Sequence, residues 1–110
     1  MTLSAIKQVR DALLTVSQNV GHFEALDPKT PPYIVWAEDN EYDGLGGNNY
    51  KIGQTLEGTI DLFTKNDFDP LFDAIQNALC AARVDFRLES VQYEDDTELI
   101  HYEWSWRVMT

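Results

Sequence analysis

The end of the chain constrains its fold most. From Ile100 to Val108 every second residue is apolar: Ile100, Tyr102, Trp104, Trp106 and Val108. His101, Glu103, Ser105 and Arg107 stand between them. A strict period of two sends one row of side chains to a core and the other to water, so 98–109 reads as a strand with one wet face. One-sided wetting is typical of antiparallel sheets. Asp95-Asp96-Thr97 reads as the turn before it, and 84–94 as its hairpin partner. There Val84, Phe86 and Leu88 share one side, and Val91 and Tyr93 come after a change of phase. That slip predicts a β-bulge.

The rest of the chain supplies two helices and two or three further strands. Leu3, Ile6, Val9, Leu13 and Val16 recur at spacings of three and four, which predicts a helix over 3–17, capped by Thr2. Leu71, Ile75, Ala78, Leu79 and Ala82, widened by Phe72, predict a second helix over 70–82. Asp67 or Asp69 can cap it, and Pro70 suits its first turn. Tyr33-Ile34-Val35-Trp36-Ala37-Glu38 reads as a strand, and 39–49 as a long loop rich in glycine and asparagine. In 50–65, Ile52, Leu56, Ile60 and Leu62 alternate with polar residues, with Gly53 and Gly58 marking a bend or bulge. Val20 to Phe23 can form a short edge strand, and the prolines at 28, 31 and 32 keep residues 27–32 out of any helix or central strand. The expected fold is α+β in the order α-β-β-α-β-β: a two-layer sandwich, with an antiparallel sheet of four or five strands and two helices on one face.

At 110 residues the chain is expected to be a single domain, 1–110. Such a domain buries roughly two-thirds of its unfolded surface and folds without staples. Nineteen acidic residues against eight basic ones leave a formal charge of −11. That argues against binding nucleic acid by phosphate neutralisation and against docking on anionic lipid. Cys80 is the single cysteine, so an internal disulfide and a C-x-x-C site are excluded. The first residues lack a basic stretch leading into an apolar run, so a cytoplasmic chain without a signal peptide is expected.

The motifs with chemical meaning are weak. Asp39-Asn40-Glu41-Tyr42-Asp43-Gly44 has acids at the first, third and fifth places of a calcium loop, but Tyr50 stands where the bidentate glutamate belongs. Gly44, Gly46 and Gly47 do not complete a phosphate loop, since Asn49 replaces the last glycine. His22 and His101 have no acid–base–nucleophile spacing, and His101 reads as a surface histidine. Cys80 reads as a partly buried structural thiol. The many acid pairs fall at turns and strand ends, and Trp36, Trp104 and Trp106 fall on apolar phases with no basic groove. Neither a catalytic, a cofactor-binding nor a metal residue is expected, and the chain is expected not to be an enzyme.

The order of segments carries a resemblance. A short amphipathic helix precedes Pro31-Pro32-Tyr33-Ile34-Val35-Trp36. An Asp/Asn-rich loop and a strand ending Ile60-Asp61-Leu62-Phe63-Thr64-Lys65 come next, then a helix and an acidic-tipped hairpin. Over nearly all of 3–109 this resembles the tail terminator, or tail-completion, proteins of long-tailed bacteriophages and prophages of Gram-positive hosts. The resemblance implies a virion subunit, assembled in the host cytoplasm, that closes with copies of itself into a ring, generally a hexamer. The implied ring caps the tail tube, ends its polymerisation and meets the head connector or head-closure protein. DNA only passes through the bore. No cofactor and no membrane contact are implied.

Within that expectation, Asp39, Asn40, Glu41, Tyr42, Asp43, Gly44, Leu45, Gly46, Gly47, Asn48 and Asn49 form a loop that orders on docking. Glu94, Asp95, Asp96 and Glu98 are the candidate acids of the bore, where negative charge would keep DNA from sticking. Three other functions compete: a head-closure or adaptor subunit at the same joint, an acidic DNA-mimic inhibitor, and a small enzyme with converging acids in a pocket.

Overall fold

A computed structural model describes residues 3–42 and 54–109. Leu3–Ile6 form one 3₁₀ turn that runs into helix α1, Lys7–Leu14. Strands β1 (Val20–His22), β2 (Tyr33–Glu41) and β3 (Thr55–Thr64) come next. Helix α2 (Pro70–Ala81) then leads to β4 (Asp85–Glu94) and β5 (Leu99–Met109). The sheet order is β1-β2-β3-β5-β4.

The element order is therefore α-β-β-β-α-β-β, and the short strand after the first helix is real. It also changes the class of the sheet. β1 pairs with β2 in parallel, Val20 to Ile34 and His22 to Trp36, whereas every other pairing is antiparallel. The expected purely antiparallel sheet is thus mixed. The physical reason lies in residues 23–32, a connection long enough to carry the chain back to the start of the sheet before β2 begins.

Three prolines occupy that connection. Asn19 fastens it by donating from its side-chain amide to the carbonyls of Thr30 and Pro32, at 2.8 and 3.0 Å. α1 is also shorter than its periodicity suggests. Leu3 is mostly exposed, and the helix ends at Leu14, where the Thr15 hydroxyl donates to the Ala12 carbonyl at 2.6 Å. Thr2 lies outside the described residues.

One cluster forms the core. Ile6, Val9, Ala12 and Leu13 from the first helical segment and Ile75 and Leu79 from α2 meet a single phase of the sheet. That phase is Ile34 and Trp36 on β2, Leu56, Ile60 and Leu62 on β3, and Trp104, Trp106 and Val108 on β5. The indole of Trp104 donates to Gln76 and that of Trp106 to the Thr59 carbonyl, both at 3.1 Å, so neither buried N–H is orphaned.

Two other features reverse or refine expectations. Gly58 stands at the expected bulge: the register shifts between the pairs Glu38–Gly58 and Asn40–Glu57, with the extra residue on β2, while Gly53 lies outside the described residues. Gly58 pairs with Trp106, and a Cβ there would meet the indole carbons at 2.5 and 2.7 Å. Glycine is used to let the ring lie across the strand. The slip on β4 falls between Leu88 and Ser90, as the change of phase predicts.

Asp69 caps α2. Its Oδ1 accepts the Leu71 N–H at 2.9 Å, while Oδ2 accepts the buried Thr64 hydroxyl at 2.5 Å. A single carboxylate therefore ends β3 and starts α2.

Candidate functional site

The face of the sheet away from the core cluster is built by the odd residues of β3 and β5. Register sets Glu57 opposite Arg107, Thr59 opposite Ser105, Asp61 opposite Glu103, and Phe63 opposite His101. The first pair is complementary, with the guanidinium 3.5 Å from Glu57. Arg107 also lies over the Tyr42 ring, 3.8 Å from its centre. Asp61 and Glu103 are like charges directly across two strands, an arrangement that destabilises a sheet unless something answers it.

His101 stands beside that pair. Its Nε2 lies 2.7 Å from Asp61 Oδ1, and its Nδ1 faces Glu94 Oε2 at 3.8 Å. The imidazole stacks on Phe63 at 4.2 Å, and Phe63 stacks on Tyr33 at 4.9 Å, so three rings cross β5, β3 and β2. The expected surface histidine is in fact only 17% exposed, and Asp61 is 21% exposed. Asp61, His101 and Glu103 bring one donor atom each within 4.8 Å of one another. Further along β5 the Ser105 hydroxyl donates to Glu89 at 2.7 Å.

Negative charge extends toward β2. Partial burial, reinforced by Glu57, Asp61 and Glu38, pushes the Asp39 carboxyl above the usual aspartate range. On the sheet's opposite margin His22 stacks between Trp36 and Phe23, at 4.1 and 4.2 Å, with its Nε2 2.6 Å from Glu38.

The fold is similar to that of a chain in a solved structure, the virion of a native gene transfer agent particle. The TM-score is 0.50 at 13% identity, covering 97% of this chain and 93% of that one. At that identity the likeness speaks for the fold. No family model and no curated protein matches the chain. Among the described residues, no helix is long and apolar enough to cross a membrane.

The residues expected to form a docking loop divide. Asp39, Asn40 and Glu41 belong to β2, with Asn40 opposite Glu57 and Glu41 opposite Leu56. The loop expected from 39 thus begins later, because a polar strand needs no apolar residues on its wet face once its backbone is paired. The Tyr42 N–H still donates to the Thr55 carbonyl at 2.7 Å. Asp43, Gly44, Leu45, Gly46, Gly47, Asn48 and Asn49 lie outside the described residues.

The acids of the turn, Glu94, Asp95, Asp96 and Glu98, sit where β4 meets β5; Glu94 is half-buried and the others are exposed. Glu98 has φ 60, and its N–H donates to the Glu94 carbonyl at 2.7 Å, which closes the turn. Register puts this turn beyond the Thr64 end of β3, while Tyr42 lies at the Thr55 end. Ten strand residues at 3.3 Å each set the two about 30 Å apart. Tyr42 and the acidic turn thus lie at opposite ends of the sheet.

Cys80, expected to be partly buried, is exposed. It sits on the side of α2 turned away from Ile75 and Leu79. Sequence reasoning also missed the group around His101. Asp61, His101 and Glu103 all stand on wet phases, but only the register of β3 against β5 brings residues forty apart into contact.

Proposed function

We propose that the chain is a structural protein of a phage-like virion, and more narrowly the tail terminator: a ring-forming subunit that caps the tail tube and meets the head connector. The observation that carries this reading is the fold shared, over nearly the whole of both chains, with a component of a gene transfer agent virion. The resemblance in segment order, from Pro31-Pro32-Tyr33 to the acidic hairpin, supports the narrower form.

The shape of the subunit suits a joint. A closed ring needs two different surfaces that meet head to tail. Among the described residues the edges of the sheet are β4 and β1. Leu88, Val91 and Tyr93 are exposed along β4, and Phe23 and Leu26 are exposed just after β1. The ends of the sheet also differ. Tyr42, Arg83 and Arg107 line a groove of about 450 Å³ at one end, and the acids 94–98 crown the other. Two unlike ends can serve two unlike partners, tube and connector. In this reading Glu94, Asp95, Asp96 and Glu98 face the bore and discourage DNA from sticking, within a Debye length of about 8 Å.

The experiment is electron microscopy of particles assembled without this chain. Overlong tails are the expected result. Tails of normal length beside unjoined heads would assign the chain to head closure instead, and unaltered particles would remove it from the virion.

A further inference from the structure

We propose that Asp61, His101 and Glu103 form a binding site for a divalent first-row cation of the Zn²⁺ type, one per chain. The inference stands apart from any role in a ring, because all three donors come from β3 and β5 of a single subunit.

The argument starts from register. Asp61 and Glu103 are paired directly across the strands, and both are acidic. Like charges at that position repel at a separation of about 5 Å. A cation between them converts the repulsion into attraction. His101, one pair further along, points Nε2 at the same place, 2.7 Å from Asp61 Oδ1. The three donor atoms already lie within 4.8 Å of one another. An ion held at about 2.0–2.2 Å from each ligand needs donors a little over 3 Å apart. Rotation of the carboxylate side chains covers that difference.

The second observation concerns the other ring nitrogen. A metal-binding histidine characteristically gives its remaining N–H to a carboxylate, which sets the tautomer and the ring plane. Nδ1 of His101 faces Glu94 Oε2 at 3.8 Å, on the side away from Asp61. In the metal-bound form a neutral imidazole ligates through Nε2 and carries its proton on Nδ1, toward Glu94. The ring is also held in place by its stack on Phe63, itself stacked on Tyr33. Such a site is oriented before the ion arrives.

Donor chemistry selects the ion. One imidazole nitrogen with two carboxylate oxygens suits Zn²⁺, Co²⁺ or Mn²⁺ better than the hard, oxygen-seeking Ca²⁺ and Mg²⁺. The histidine and Asp61 are largely covered, so the ion would meet fewer competing waters than on an open surface. A chain of net charge −11 also concentrates cations around itself. Three protein ligands leave the remaining position to water.

The test is calorimetric titration of the metal-free full chain with Zn²⁺, joined to the nitrogen-detected spectrum of its two imidazoles. The expected result is saturable binding of one Zn²⁺ per chain that perturbs the ring of His101 and leaves that of His22 in place. Glu94→Gln should weaken binding about tenfold, and His101→Ala by more than that. His22→Ala should not change it. Absence of one-to-one binding, or binding that leaves the His101 resonances unmoved, overturns the proposal. The spectrum of the unsubstituted chain decides the matter even if His101→Ala fails to fold.

Discussion

Replacing Gly58 by alanine tests the packing of the sheet with a single methyl group. The position is central: Gly58 pairs with Glu38 on β2 and with Trp106 on β5. A Cβ there would run into the Ala37 carbonyl oxygen and lie 2.5 and 2.7 Å from carbons of the Trp106 indole. The indole cannot simply swing away. It is fully buried, and its N–H donates to the Thr59 carbonyl. Nor can the carbonyl, which belongs to the paired backbone of β2.

Overpacking typically costs 1–3 kcal/mol, and an obstacle made of backbone sets this case near about 3 kcal/mol. The gain in backbone entropy from Gly to Ala offsets at most about 1 kcal/mol of a larger gross cost. For a domain of this size each kcal/mol lowers Tm by about 4 °C, so a drop of about 12 °C is expected. Thermal unfolding monitored by far-ultraviolet circular dichroism reads the shift, and near-ultraviolet spectra report the indoles. In a Trp106→Phe background Gly58→Ala should still destabilise, because the Ala37 carbonyl remains. A Gly58→Ala protein melting within about 2 °C of the parent would refute the reasoning.

Asp69→Ala removes a helix cap and strands the fully buried Thr64 hydroxyl, for a loss of about 3 kcal/mol in denaturant titration. Asp69→Asn should lose less, since the amide oxygen still accepts the Leu71 N–H. Asp39→Asn should raise Tm at pH 7, and the gain should disappear as pH falls below about 4. The sign comes from the raised carboxyl of Asp39: its protonated form suits the folded state, so its contribution is full below the ordinary aspartate value and is lost as pH rises through the folded one. Thermal melts of both proteins across a pH series measure this.

Local patterning in the chain was enough to specify the elements that bury one face. The alternation at Trp104, Trp106 and Val108 and the spacing of Ile75 and Leu79 report directly on the core, because period and burial are the same fact in a strand or an amphipathic helix. The Asp69 cap, Pro70 and the β4 slip were legible for the same reason: each is a local event written in adjacent residues. Features that depend on partners far apart in the chain emerged only from the assembled fold. The parallel pairing of β1 rests on where a ten-residue connection turns, and the extension of β2 through Glu41 rests on β3 being there to pair with it. The function of Gly58 depends on an indole forty-eight residues away. The group of Asp61, His101, Glu103 and Glu94 exists only through cross-strand register, because a shift of one residue would turn each of those side chains to the other face.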